Sequence, residues 1–323
     1  SSFSSLKLIS ASGAVLVRAM SSNGYRAKVG AQGEGIMDAG RTGRSIFAPV
    51  SAAPSRLKVI LAFAAIYLIW GSTYYGIKEA LTGFPPFMLG GLRFAVASVL
   101  MFVMARAQGF ALIPSSGLWK SLFVGFLLLF VGNGAVVWAQ QTVPSSVAAI
   151  AIAVAPLSFT LIDKPQWGVN FKSPATLVGI AAGITGVWLL FRERLSAQLT
   201  DAGFEAEATA IAVLAVGILA WPAGSVWSKY NPVKLANTAN SAWQMLTGAC
   251  CFLLVSALRG EWNGFSFAAV PMNAWVAEAY LIVFGSIIGF SAYIWLLSVR
   301  PATQVSTYAY VNPVVAVLLG VWL

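Results

Sequence analysis

The 323-residue chain has no histidine, only two cysteines, and 9% charged residues. A soluble domain carries roughly 25% charged residues, so this is not the composition of one. With no histidine, and no pair of aspartates within an apolar stretch, neither a Ser–His pair nor an aspartyl dyad is available, which removes intramembrane proteolysis. No GxxxxGK(S/T) string occurs, so ATP does not drive the chain directly. The cysteines are adjacent, Cys250 and Cys251, inside an apolar stretch; they imply neither a disulfide framework nor a metal site. No cofactor is expected.

Hydrophobic residues make up 59% of the chain. Mean hydropathy is +0.80. The net charge of +10 comes mostly from the N-terminal segment and from loops, without an aromatic-rich basic patch. Topology and anionic lipid headgroups account for such a distribution, and nucleic acid is not an expected partner.

Apolar stretches long enough to cross a bilayer as helices predict nine spans, at 57–77, 87–105, 118–139, 145–162, 174–191, 209–228, 238–258, 274–297 and 302–323. The chain also contains itself twice. Trp138, Pro144, Val154 and Pro156 recur 157 positions later as Trp295, Pro301, Val311 and Pro313. Trp70 recurs as Trp221, and Arg93 falls opposite Gln244, both at a shift of 151. An odd number of spans per copy forces the copies into opposite orientations, which is how many secondary transporters are built. The expected architecture is an all-α polytopic membrane protein of two inverted five-helix repeats, at 56–195 and 205–323. The counterpart of the fifth span would begin near residue 331, so a tenth helix is expected to be missing; Ser1 is not expected to be the natural start.

Arg106, Lys120, Lys164, Lys172, Lys229, Lys234 and Arg300 fall in loops on one side. Lys78, Arg192, Arg194 and Arg259, with Glu193, Asp201, Glu205 and Glu207, fall on the other. The excess, extended by Arg56 and Lys58, places the N-terminus inside. Residues 1–55 are rich in Ser, Ala and Gly and poor in acids. They read as an organellar transit peptide, as a disordered tail, or as upstream sequence translated in error ahead of Met37.

Among charges within spans, only Arg93 is expected at depth; Asp163, Lys164 and Glu278 sit near span ends, within reach of the interface. A charge at depth costs roughly 2.5–3.5 kcal/mol on insertion scales. Arg93 either faces a water-filled cavity and attracts a carboxylate or phosphate, or fixes helix packing. With no acid at mid-span, tight proton coupling has no evident carrier.

What remains is aromatic and hydroxyl-rich. The first span carries Trp70, Ser72, Thr73 and Tyr74; the sixth carries Trp221, Pro222 and Ser225. Trp70 with Tyr74, and Trp221 with Ser225, share helix faces. Asn133, Trp138 and Gln141 come from the third span, Tyr293 and Trp295 from the eighth. Trp119, Trp167, Trp262 and Trp275 fit interfacial anchors. Ala151 and Ala155 map onto Tyr308 and Asn312, so small residues in one copy face bulky polar ones in the other; this opens an off-axis pocket or is complementary packing. Pro156 and Pro313 free a mid-helix carbonyl, a hinge or a hydrogen-bonding point. Gly179 and Gly183 suit close helix packing.

The strings Tyr67-Leu-Ile-Trp70-Gly-Ser-Thr-Tyr74, Pro85-Pro86 with Arg93-Phe94, Val131-Gly-Asn-Gly134, Val143-Pro-Ser-Ser146 and Ala155-Pro156-Leu157 resemble the drug/metabolite transporter superfamily. So do Phe284-Gly-Ser-Ile-Ile288 and Tyr308-Ala-Tyr-Val-Asn-Pro313 with its continuation to Gly320. The similarity is to the EamA family and its YedA-like inner-membrane members. It implies ten helices in two inverted halves around a central cavity, and export of amino acids, metabolites or toxic small molecules. It also implies a cavity lined by Trp70, Ser72, Thr73, Trp138, Trp221, Tyr293, Tyr308 and Asn312.

The reading is therefore a non-enzymatic secondary carrier in the bilayer, with a small-molecule substrate and an oligomeric state the sequence leaves open. A small-multidrug-type exporter would want a glutamate in the first span, which has none. A phosphate-ester or nucleotide-sugar exchanger would want several cavity bases. A scaffold or sensor without turnover would have a solidly packed centre.

Overall fold

A computed structural model describes residues 55–174 and 204–322 and, between them, 176–179, 181, 182 and 185. The expected N-terminal leader up to residue 54, Gly183, and most of the fifth span at 174–191 lie outside the described residues. The described segments are helical, with no strand among them.

Among the described residues, four complete helical spans come from each half. In the first half they are α1 (Arg56–Ala80), α2 (Pro86–Ala107), α3 (Leu118–Ala139) and α4 (Ser145–Ile152 and Ala155–Ile162). In the second they are α5 (Phe204–Tyr230), α6 (Asn237–Leu258), α7 (Met272–Val299) and α8 (Ala302–Val305 and Tyr308–Trp322). Six of them are single helices long and apolar enough to cross a membrane, and α4 joins the short helix after it at a bend of 75°. Prolines set several starts: Pro85, Pro144, Pro271 and Pro301 are the N-caps of α2, α4, α7 and α8. Proline suits a helix start because its fixed φ is already helical and its missing N–H would have had no partner there. The ends of α2 and α6 show the repeat directly. Gly109 and Gly260, 151 positions apart, take positive φ of 74° and 69° just beyond them, the left-handed step that stops a helix and favours glycine.

The repeat also reaches into the helices. Residues Phe126–Asn133 of α3 and Leu281–Phe290 of α7 are wound as π-helix. Shifted by 157, the first segment falls within the second. Widened turns of this kind occur mostly at functional sites, and sequence reading gave no sign of them. The expected unbroken spans at 145–162 and 302–323 are each interrupted, at 153–154 and 306–307. Pro156 accounts for the first break, lying in the opening turn of the second α4 piece. Pro313, by contrast, sits inside a continuous helix.

Hydrogen bonds tie the ends of the bundle. Lys78, at the end of α1, donates to the carbonyl of Gln140, the C-cap of α3 (3.1 Å). Its repeat counterpart Lys229, at the end of α5, donates to the carbonyl of Arg300, the C-cap of α7 (2.5 Å). Each lysine thus neutralises the exposed carbonyl end of a neighbouring helix, one at each end of the molecule. Tyr230 adds a bond to Asp163 at the Lys229 end (2.7 Å). Asp163 is fully buried, where an interfacial position was expected. At the Lys78 end the Glu261 carboxylate accepts from the N–H groups of Phe87 and Met88 (3.3 and 2.8 Å), capping α2.

Buried side chains form two clusters, one around Phe94, Phe159, Phe252 and Tyr293, the other around Tyr74, Phe84, Val137 and Leu281. Leu57, Leu68, Val99, Val103 and Leu254 are exposed on the outside, as a lipid-facing surface requires. In lipid, helices associate by close packing, so small residues lie at their crossings. A Cβ at Gly125 would stand 2.4 Å from the backbone oxygen of Gln244 in α6. Gly125→Ala is therefore expected to destabilise the α3–α6 crossing by about 1–3 kcal/mol, whereas Gly168→Ala, which meets nothing within 4 Å, leaves stability unchanged. Thermal unfolding of the two variants in detergent checks this contrast.

Candidate functional site

At the centre the two repeat-related tryptophans meet. The Trp70 and Trp221 rings are 5.4 Å apart, edge to face at 88°. Each indole rests on a glycine of the π segment in the opposite half. A Cβ at Gly289 would stand 2.6 Å from Trp70 Nε1, and one at Gly132 would stand 3.0 Å from Trp221 Cε3. Gly132 and Gly289 are themselves 157 apart, so both contacts are the same contact made twice. Tyr293 and Tyr308 complete the cluster, 4.9 and 5.1 Å from Trp70.

Hydrogen bonds hold these rings. Trp70 Nε1 donates to the Gly285 carbonyl (3.1 Å). Trp221 Nε1 donates to the Tyr293 hydroxyl (2.9 Å), and that hydroxyl bonds Ser225 Oγ (2.5 Å). Ser225 in turn donates to the Trp221 carbonyl (2.7 Å), closing a ring of three bonds. The same ring has no copy in the first half, where Tyr293 is matched by Val136 and Tyr308 by Ala151.

A cavity of about 80 Å³ lies on the Lys78 side of the tryptophans. From α1 come Trp70, Thr73, Tyr74 and Ile77, spaced i, i+3, i+4, i+7 and so on one face. From α2 come Arg93 and Phe94; from α3, Gly132, Asn133 and Val136. Ile152 and Ala155 of α4 face Tyr308 and Asn312 of α8 across it. Gly217, Ile218 and Trp221 of α5 and Gly285, Ser286 and Phe290 of α7 close the walls. Of the expected cavity residues, Trp70, Thr73, Tyr74, Arg93, Asn133, Trp221, Tyr308 and Asn312 thus line one space.

The others lie elsewhere. Ser72 is on the opposite face of α1, where it donates to the Ile69 carbonyl (2.7 Å) and bonds the Tyr280 hydroxyl. Tyr293 and Ser225 are buried behind the tryptophans. Trp138 is half-buried near the end of α3, packed against the cluster around Tyr74. Pro222 sits inside α5 and leaves the Ile218 carbonyl without a helical donor, and Ile218 is on the cavity wall. Pro156 and Pro313 lie outside the cavity.

The polar groups that face this space are few. Arg93 is 3% exposed; its Nε donates to Ser286 Oγ (2.8 Å), and its Nη1 has no partner. Asn133 Oδ1 is likewise buried and unpartnered. Asn312, with its amide turned to suit its neighbours, donates to the carbonyls of Tyr67 (3.2 Å) and Tyr308 (3.0 Å) and is hydrogen-bonded to Tyr74. The site therefore offers one cation, an amide oxygen and broad aromatic faces, a lining suited to an amphipathic guest. A second cavity lies at the Lys229 end, lined by Lys120, Ser121, Asn240 and Gln244 among others. Gln244 is the repeat counterpart of Arg93, so each half points a polar residue of this position into a different cavity.

Glu278 requires a correction. The sequence suggested an interfacial position, but Glu278 is 2% exposed and lies on α7 within electrostatic range of Arg93. An acid therefore does stand inside the bundle. A signal was present: Arg93 and Glu278 each lie seven residues beyond a proline that opens their helix, Pro86 and Pro271. Gly132, Gly285 and Ser286 of the walls, and Gly289 under Trp70, gave no signal in the sequence, because what a glycine or serine meets depends on the partner helix.

The EamA-like transporter family profile matches residues 57–192 and 208–323, both halves in turn. The chain belongs to the EamA-like transporter family. It is 36% identical over 262 residues to the uncharacterized inner membrane transporter YedA of Escherichia coli K12, covering 80% of each chain. It is 26% identical over 273 residues to the uncharacterized transporter YoaV of Bacillus subtilis 168, covering 83% of this chain and 88% of that one. PecM of Dickeya dadantii is 25% identical over 257 residues, covering 78% and 80%. One solved crystal structure superimposes with a TM-score of 0.62 at 20% identity, over 83% of this chain and 88% of the other, and shares the fold. A multi-pass membrane protein of the drug/metabolite transporter superfamily is thus established.

The hydroxyl ring has a measurable consequence. Tyr293→Phe leaves the Trp221 N–H and the Ser225 hydroxyl without their buried partner and is expected to cost about 1–3 kcal/mol. Thermal unfolding followed by tryptophan fluorescence reads this loss, and Tyr310→Phe, on the half-exposed α8 surface, serves as the unaffected comparison.

Proposed function

We propose that the chain is a secondary carrier that moves small amphipathic solutes, amino acids and related carboxylates foremost, outward across a bacterial cytoplasmic membrane. The observation that carries this is the Trp70–Trp221 contact, which stands between two cavities reaching opposite ends of an inverted repeat. Such a contact is a natural pivot for alternating access, because loosening it toward one cavity tightens the packing toward the other. The Lys78 and Lys229 latches at opposite ends give each half a closure of the same chemistry. The relatives' names place YedA in the inner membrane, and the same location is proposed here.

The guest's chemistry follows from the walls. Aromatic faces suit an apolar or aromatic body, and Arg93 with its unpartnered Nη1 suits a carboxylate. Among the described residues, Arg93 is the one charged residue on the walls of this cavity, so a phosphate-ester exchanger, which needs several bases, is the weaker reading. A scaffold would be favoured by a solid centre, and the cavity argues for a carrier.

Flux of a labelled amino-acid panel into proteoliposomes tests the proposal. The chain is expected to give saturable flux for aromatic and large apolar amino acids, reduced about tenfold or more in Trp70→Ala as stacking and contact area are lost. Flux no greater than that of empty liposomes across the panel and a set of aromatic carboxylates would sink the reading.

A further inference from the structure

Glu278 is the buried titratable group that the carrier reading leaves without a task. Neither carboxylate oxygen has a hydrogen-bond partner. Arg56, Lys58 and Arg106, on the helices packed against it, lie at their opposite ends, and the nearer polar groups are engaged. Lys78 donates to the Gln140 carbonyl, Glu79 accepts from Asn273, and Glu261 accepts from the backbone of α2. Tyr280 is bonded to Ser72, and Tyr74 and Tyr75 stand beside Asn312 and Glu79. That leaves Arg93, with which Glu278 interacts electrostatically without a hydrogen bond. With both groups ionised, their charges sum to zero.

A structural ion pair would be in contact and would be expected in both halves. Here the groups do not touch. The repeat-related positions, at the Lys229 end, are neutral: Gln244 for Arg93, and for Glu278 Ser121, which donates to Asn240 (2.7 Å). The pair, one residue from each half, lies at the end of the molecule whose cavity is walled by aromatics. A carboxylate arriving on Arg93 would bring a second negative charge into a low-dielectric interior, where uncompensated charge is strongly unfavourable. Protonation of Glu278 restores neutrality.

We propose that Glu278 is a proton-binding site linked to the cavity: a carboxylate that settles on Arg93 is accompanied by one proton, taken from water onto a Glu278 oxygen. A monoanionic ligand then enters as a neutral unit with its proton. A zwitterion carries its own positive charge, which the Trp70, Trp221 and Tyr308 faces accept, and needs none. The inference rests on the reading of Arg93 as the carboxylate site. Its sign is fixed: ligand binding takes up a proton, so affinity for a monoanion is lost as pH rises past the range where Glu278 can hold it, by up to about tenfold per pH unit.

The test uses the full chain in nanodiscs, with phenylacetate as the monoanion and L-phenylalanine as the zwitterion. Binding is followed by tryptophan fluorescence, and protonation by the infrared carbonyl stretch of a neutral carboxylic acid. Phenylacetate is expected to produce that infrared band in the unaltered chain and not in Glu278→Gln, whose phenylacetate affinity becomes independent of pH. L-Phenylalanine is expected to bind without the band. Arg93→Gln, which removes the partner cation, is expected to show the band before any ligand is added; this variant decides the matter if Glu278→Gln does not fold. Saturable binding without the band, or a band that survives in Glu278→Gln, overturns the proton site and leaves the carrier reading standing. No saturable fluorescence change with either ligand removes the carboxylate site and the proton site together.

Discussion

Two indole rings, one from each half, hold the centre of this molecule apart and together. Edge to face, Trp70 and Trp221 each lie in a seat made by a glycine on the other half's π segment. A side chain larger than hydrogen at Gly132 or Gly289 would push a ring out of place. The rings in turn wall the aromatic cavity. In lipid there is no water to satisfy loose backbone groups, so the widened turns, the proline-interrupted helices and the breaks are tolerated only because they lie within the bundle.

On this symmetric frame the sequence builds an asymmetric site. Tyr293 and Tyr308 fill positions that Val136 and Ala151 leave open, and the hydroxyl ring through Ser225 rigidifies the second half around Trp221. The space left opposite is the aromatic cavity. Charge follows the same rule, with Arg93 and Glu278 on that side and Gln244 and Ser121 on the other. Inverted repeats supply the two access routes, and divergence between the repeats supplies the chemistry.

Much of this could be read in one dimension. The class followed from scarce charge and long apolar stretches; the inverted architecture followed from tryptophans and prolines recurring at constant spacing. Eight of the expected cavity residues share one space, four of them aromatic and from both halves. Ser72 was misplaced for a local reason, since one residue's step along a helix turns a side chain by about a quarter of a circle. Tyr293 and Ser225 were identified as central but stand behind the indoles.

The sequence by itself determined the solvent this protein lives in, the number of its halves and their opposite sense, because these depend on composition and on periods along the chain. Only the tertiary structure decided which polar groups are left unpartnered in the interior. Glu278 appears in the sequence as an acid near the start of a span; that it is buried within electrostatic range of Arg93 depends on how α1, α2 and α7 cross. Burial belongs to the packed helices jointly, and no single helix carries the information.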